Sequence, residues 1–229
     1  MKTTLVLAMT ADGKISDVAK SPPTFSSDRD YAHLEAQIAD ADAILVGSGT
    51  LSDGGSVVLV QKTALIQARI DRGQPIQPPQ IICSRSGRID SQLPFFSQPI
   101  ARWLLTTKVG ASDWRDRSSF DRILECETPD GRDLDWQMAS NELTKLGIEN
   151  VCFLGGSALA ASLFAANFID ELWLTVCPTI YGGSDAPTPV AGAGFTPASA
   201  PKLTLLSVDR IDQEIFLHYQ VHNTIDRSC

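Results

Sequence analysis

Four stretches of this 229-residue chain place hydroxyls, cations or glycines directly after an apolar run. In Ala8-Met9-Thr10-Ala11-Asp12-Gly13-Lys14-Ile15, the Asp-Gly pair makes a turn and presents Lys14 just beyond it. Lys14 reads as a surface charge or as a functional cation, and its position after a strand-end turn adds weight to the second. Gly47-Ser48-Gly49-Thr50-Leu51-Ser52-Asp53 follows a second apolar run. Ser84-Arg85-Ser86-Gly87-Arg88 follows a third, with hydroxyl and guanidinium donors that suit a 2′-phosphate or simply form a solvated loop. Gly155-Gly156-Ser157-Ala158 opens a helical stretch. Paired glycines there let backbone amides approach a phosphate where the helix dipole favours an anion, or merely let the chain bend.

These stretches need a scaffold, and the hydrophobic pattern supplies one. Thr4–Met9, Ala43–Val46, Ile81–Cys83, Trp103–Leu105, Arg122–Glu125, Val151–Leu154 and Glu171–Cys177 read as strands, several of them nearly continuous apolar runs buried on both faces. Ser27-Asp28-Arg29-Asp30 has the Ser-x-x-acid spacing of a helix start, with the helix running to about Asp40. Leu134–Leu146 is a second helix with Gly147 at its stop, and Ala158–Ala166 a third. Leu203–Val208 and Glu214–Val221 form a terminal hairpin after a long Gly/Ala/Pro/Thr-rich loop, Gly182–Pro201. The Pro/Gln-rich stretch Gly73–Gln80 reads as an exposed connection. Alternating strands and helices imply an α/β fold around a mostly parallel sheet, with a C-terminal antiparallel hairpin and one domain over 1–229. In open parallel sheets ligands bind at the carboxyl ends of strands, where all four stretches lie.

Composition narrows the partners. With 43% hydrophobic and 20% charged residues the chain is ordinary globular material. Nineteen Lys and Arg against 27 Asp and Glu give a net charge of −8 without a basic stripe, which argues against nucleic acid. The uncharged run Val151–Ile169 approaches membrane-spanning length, but Gly155, Gly156 and Ser157 break it and no Lys or Arg flanks it. The apolar run ending at Met9 is too short for a signal-peptide core. Neither membrane nor export is expected, and the expected location is cytoplasmic. Of five scattered cysteines, Cys83, Cys126, Cys152 and Cys177 lie in or beside apolar runs and read as buried thiols in a reducing compartment; Cys229 is terminal. His33, His218 and His222 lack metal-ligand spacing, so no metal is expected. There is no Gly-x-Ser-x-Gly elbow and no zinc-deaminase motif.

The order and spacing of the four stretches resemble the pyrimidine reductase of riboflavin biosynthesis in its stand-alone form, a member of the dihydrofolate-reductase-like superfamily. The resemblance rests on Ala8–Ile15, Asp42–Leu51, Gly155–Leu159, Phe168–Leu172 and Pro178–Phe195, and is poor over Gly54–Pro79. It implies a dihydrofolate-reductase-like three-layer fold, a homodimer, and no accompanying deaminase domain. It also implies NADPH-dependent reduction of a phosphoribosylaminopyrimidine, whose ring-opened sugar accepts a hydride and becomes a ribityl chain. By the same resemblance Ala8, Thr50 and Asp53 lie near the nicotinamide, Gly155, Gly156, Ser157 and Ala158 hold the pyrophosphate, and Ser84 and Arg85 face the adenosine end. Lys14 matches the lysine beside the reacting carbon, and Asp12 and Leu154 lie toward the substrate.

The chain departs from this family at the substrate half. Leu154 stands where the family has a carboxylate, and Tyr31, Ala32 and His33 and the loop Ser52–Ser56 stand where family arginines hold the substrate phosphate. Lost arginines remove charge-assisted bonds that neutral residues replace poorly. Two alternatives follow: a reductase of another small imine, carbonyl or pterin, and a non-catalytic nucleotide-binding protein.

Overall fold

The computed structural model describes residues 1–19, 21 and 24–222, so Cys229 lies outside the described residues. The chain divides into two compact units, residues 1–2 with 35–152, and residues 3–34 with the remainder from 153.

In the first unit, β2 (Ala43–Gly47), β3 (Gln80–Cys83), β4 (Arg102–Thr106) and β5 (Arg122–Glu125) pair in parallel, each with the next. With β6 (Asn150–Phe153) the order is β5-β4-β3-β2-β6. Ile44, Ile81, Ile82, Leu104 and Leu105 are fully buried, as the uninterrupted apolar runs require of a parallel sheet covered on both faces. The helices are α2 (Ser48–Gly54), α3 (Thr63–Asp71), α4 (Lys108–Ala111) and α5 (Trp136–Lys145). Asp135 caps α5 by accepting from the Met138 amide at 2.9 Å, and Gly147, at φ 79°, follows its end as expected. In the second unit, β1 (Lys2–Thr10) pairs in parallel with β7 (Glu171–Cys177), and β9 (Glu214–His222) pairs antiparallel with both β7 and β8 (Lys202–Ile211). The order is β1-β7-β9-β8, and α6 (Ser157–Ala165) belongs here. The fold is therefore the expected mixed α/β one, mostly parallel with a C-terminal antiparallel hairpin. Gly182–Pro201 carries neither helix nor strand.

Three helices were not expected. α2 replaces a simple strand-closing turn; its Gly- and Ser-rich sequence has little helix propensity, and fully buried Leu51 anchors it. α4 is a single turn capped by the Thr107 hydroxyl, which accepts from the Gly110 amide at 3.1 Å. α3 falls in the stretch that resembles the family poorly, and it carries a fully buried arginine. Arg69 donates to the carbonyls of Pro75, Ala39 and Ala41, the last two at the end of α1 (Asp28–Asp40), where helix carbonyls lack internal partners. The stretch Gly73–Gln80 is exposed only in part, since Pro78, Pro79 and Gln80 are buried.

The start of α1 is also built differently from the expected acid-closed cap. The Ser27 hydroxyl accepts from the Arg29 and Asp30 amides, but Glu214 of β9, not Asp30, receives the Ser27 amide and hydroxyl at 2.9 and 2.6 Å. Asp30 is instead buried, which pushes its carboxyl above the ordinary range, and the charge of Glu214 adds to the shift. The four described cysteines are free and buried, as read. Burial pushes each thiol up, that of Cys126 to about 12, which disfavours the nucleophilic thiolate. No described helix is long and apolar enough to cross a membrane, and no described cluster of His, Cys, Asp or Glu has the makings of a metal site.

Candidate active site

In the second unit the turn after β1 is closed by its own backbone. The Thr10 amide donates to Lys14 O at 2.8 Å and the Gly13 amide to Thr10 O at 2.9 Å, with Gly13 at φ 79°. Thr10 is fully buried; its hydroxyl donates to Asp12 Oδ1 at 2.6 Å and accepts from the Lys14 amide at 2.9 Å. Asp12 then reaches far along the chain. Oδ1 accepts from the Tyr181 amide at 3.2 Å and Oδ2 from the Gly182 amide at 2.7 Å. The Thr10 hydroxyl, with the Gly182 and Tyr181 amides, holds the Asp12 carboxyl down to about 2, so it is anionic at any working pH.

Further bonds zip the same two segments together. The Ala11 amide donates to Thr179 O, the Ile15 amide to Pro187 O, and Lys14 Nζ to Ala186 O at 3.2 Å. The half-buried Lys14 ammonium is thus oriented by a carbonyl 172 residues away. Ala8, half-buried on β1, pairs in register with Thr175 of β7.

The glycine pair lies in this unit too. Gly155 is buried at φ 84°, a torsion that favours glycine, and a Cβ there would press on Leu7 Cδ2 at 3.0 Å. Gly156 precedes α6 with no side-chain cap on the helix start. The first-turn amides of α6, beside half-exposed Ser157 and exposed Ala158, therefore have no side-chain acceptor, which is the arrangement that receives an anion. Leu154 is half-buried before the pair.

In the first unit, Thr50 and Asp53 are exposed and three residues apart on α2, hence on one face, with Leu51 turned into the core. Ser84 is buried at 5% exposure, whereas Arg85, Ser86 and Arg88 are exposed. The second unit therefore carries Ala8, Asp12, Lys14, Leu154 and Gly155–Ala158, and the first carries Thr50, Asp53, Ser84 and Arg85. Reasoning from sequence passed over Thr10, which builds the Lys14 turn, and the carbonyls of Thr179, Ala186 and Pro187. The signal for the last two carbonyls was the Gly/Ala/Pro/Thr-rich tract itself: a long loop without secondary structure must find partners for its backbone.

The profile of the RibD C-terminal domain matches residues 1–217. The chain belongs to that family. Within it, relatives named 2,5-diamino-6-ribosylamino-4(3H)-pyrimidinone 5′-phosphate reductase are similar along most of their length. The Methanothermobacter thermautotrophicus protein is 26% identical, covering 93% of this chain and 95% of the relative. The Archaeoglobus fulgidus protein is 25% identical, covering 82% and 85%. Among solved structures, a pyrimidine reductase-like protein from Corynebacterium diphtheriae superposes with a TM-score of 0.77 at 18% identity, covering 96% of this chain and 92% of that one. Dihydrofolate reductase from Enterococcus faecalis reaches 0.54 at 12% identity, covering 96% of each. The RibD C-terminal domain described here thus has the dihydrofolate-reductase-like fold.

The Asp12 bonds carry a direct test. The substitution Asp12→Asn keeps only one acceptor oxygen, so it leaves the Tyr181 or the Gly182 amide unpaired. Hydrogen exchange read by mass spectrometry should show residues 179–187 exchanging about tenfold faster or more than in the parent protein. Unchanged exchange there would mean that the carboxylate does not hold the loop.

Proposed function

We propose that this chain is an NADPH-dependent reductase of riboflavin biosynthesis, acting on a 5-amino-6-(phosphoribosylamino)pyrimidine as a single domain in the cytoplasm. Membership of the RibD C-terminal domain family carries this reading. The names of the two archaeal relatives and the NADP(H) complex of the dihydrofolate reductase neighbour support it.

The residues present fit a phosphorylated dinucleotide. The open start of α6 behind Gly155 and Gly156 suits the pyrophosphate, and Arg85 and Arg88 enter no ion pair among the described residues. Bound dihydronicotinamide supplies the hydride. The protein's work is positioning: Ala8, Thr50 and Asp53 orient the nicotinamide, Gly155–Ala158 bind pyrophosphate, and Ser84 and Arg85 take the adenosine end. Lys14 Nζ donates to an oxygen of the opened ribose beside the carbon that is reduced. Asp12 and Leu154 contact or shape the substrate side. Leu154, apolar where the resemblance led to a carboxylate, favours one second reading, a different small imine or carbonyl reduced with the same cofactor.

The assay is NADPH oxidation with the aminated and the deaminated ribosylaminopyrimidine phosphate. Turnover with one of them is expected, and Lys14→Ala should lower kcat by about 100-fold or more while leaving NADPH affinity unchanged. No turnover with either compound, or full activity in Lys14→Ala, overturns the assignment.

The partner is a second copy of the chain. β8 ends the strand order of its unit, and Leu203, Leu205, Leu206, Val208 and Ile211 on it are 40–52% exposed. An apolar edge strand of this length needs covering or pairing. Sedimentation at micromolar concentration should give a dimer, and Leu205→Lys a monomer; a monomeric parent protein would contradict the proposal.

A further inference from the structure

The loop Ser84–Arg88 has more holding it than a solvated turn needs. Arg85, Ser86 and Arg88 are exposed, the Ser86 hydroxyl accepts from the Arg88 amide at 3.4 Å, and the Arg85 and Ser86 amides donate to no group among the described residues. Two of its carbonyls, those of Arg85 and Gly87, are taken by donors from one short segment after β4. Thr107 Oγ1 donates to Arg85 O at 2.9 Å, and Trp114 Nε1 donates to Gly87 O at 2.6 Å.

Neither donor is free to move. Thr107 is 2% exposed, and its hydroxyl also caps α4 through the Gly110 amide. Trp114 is 2% exposed, stacked on Phe96 at 5.7 Å and edge-on to Phe120 at 4.9 Å. Between these anchors the backbones of Gly87 and Gly110 touch. A Cβ on Gly87, which sits at φ 64°, would collide with the Gly110 carbonyl, and one on Gly110 would stand 2.7 Å from Arg85 O. Only glycine is admitted on either side of the contact.

We infer that Thr107, Gly110 and Trp114 are positioning residues that set the preference for a 2′-phosphorylated nucleotide, by fixing the Ser84–Arg88 loop with its Arg85 and Gly87 carbonyls occupied. This rests on the reading of that loop as the adenosine-end site of NADPH. The physical argument is electrostatic. A loop free to turn would offer carbonyl oxygens as readily as amides, and a dianion is repelled by the first and held by the second. Fixing the backbone also removes the ordering cost that binding would otherwise carry. The clamp lies behind the loop and needs no contact with the ligand.

The test compares adenosine 2′,5′-bisphosphate with adenosine 5′-monophosphate as calorimetric probes on the full chain, with unfolding midpoints recorded alongside. The parent protein is expected to prefer the bisphosphate, and Arg85→Ala to lose most of that preference. Thr107→Val and Trp114→Phe, which delete one donor each, should weaken the bisphosphate about tenfold while leaving the monophosphate within about twofold. Thr107→Ser, which keeps the hydroxyl, should restore the preference. If Thr107→Val and Trp114→Phe keep the parent's ratio while Arg85→Ala loses it, or if they weaken both probes equally, the clamp does not set specificity. A parent protein with no preference between the probes would instead overturn the placement of the 2′-phosphate, and with it the NADPH reading.

Discussion

One carboxylate holds the second unit's loops in place. Asp12 accepts from the Thr10 hydroxyl two residues away and from the amides of Tyr181 and Gly182, which are 169 and 170 residues away. The Gly/Ala/Pro/Thr-rich loop it reaches has no helix or strand with which to satisfy its backbone, so bonds to a charged acceptor must substitute for a ladder. The Lys14 ammonium depends on the result, because the carbonyl that orients it, Ala186 O, belongs to that loop. Removing the charge at Asp12 therefore acts on Lys14 without touching it. That is how a lysine on a turn, a residue with about 2 kcal/mol of rotamer entropy to lose, comes to present its nitrogen in one direction.

The same economy of backbone groups shapes the first unit. There a hydroxyl and an indole bind the Arg85 and Gly87 carbonyls of the Ser84–Arg88 loop, in which Arg85, Ser86 and Arg88 are exposed. The arrangement matters because the chain is acidic, with a net charge of −8. On the proposed reading a dinucleotide phosphate approaches an unfavourable mean field, and local donors must reverse it at short range, where salt screens least. The same reading assigns that part to the uncapped start of α6 and the exposed Arg85 and Arg88.

Much of the fold was legible because parallel strands buried on both faces announce themselves as short apolar runs. Ala43–Val46 and Ile81–Cys83 read correctly from that signal alone. α2 and α3 did not, since Leu51 and Arg69 stabilise them through tertiary contacts while local propensity is weak or uninformative. Arg69 is the sharper case, because charged residues are seldom fully buried and nothing beside it in sequence signals the α1 carbonyls it satisfies. The site was legible as strand-end stretches but not as connections. Thr10 to Asp12 is local, whereas Asp12 to Gly182 and Thr107 to Arg85 join segments that no spacing rule relates.

The central claim is that a hydride passes from the nicotinamide to the ribosyl carbon of the pyrimidine. The most direct measurement uses NADPH carrying deuterium at both hydrogens of nicotinamide C4, followed by mass spectrometry of the pyrimidine product. One deuterium on the first carbon of a ribityl chain is the predicted result. A product without deuterium, or no reduced product from either the aminated or the deaminated substrate, would contradict it.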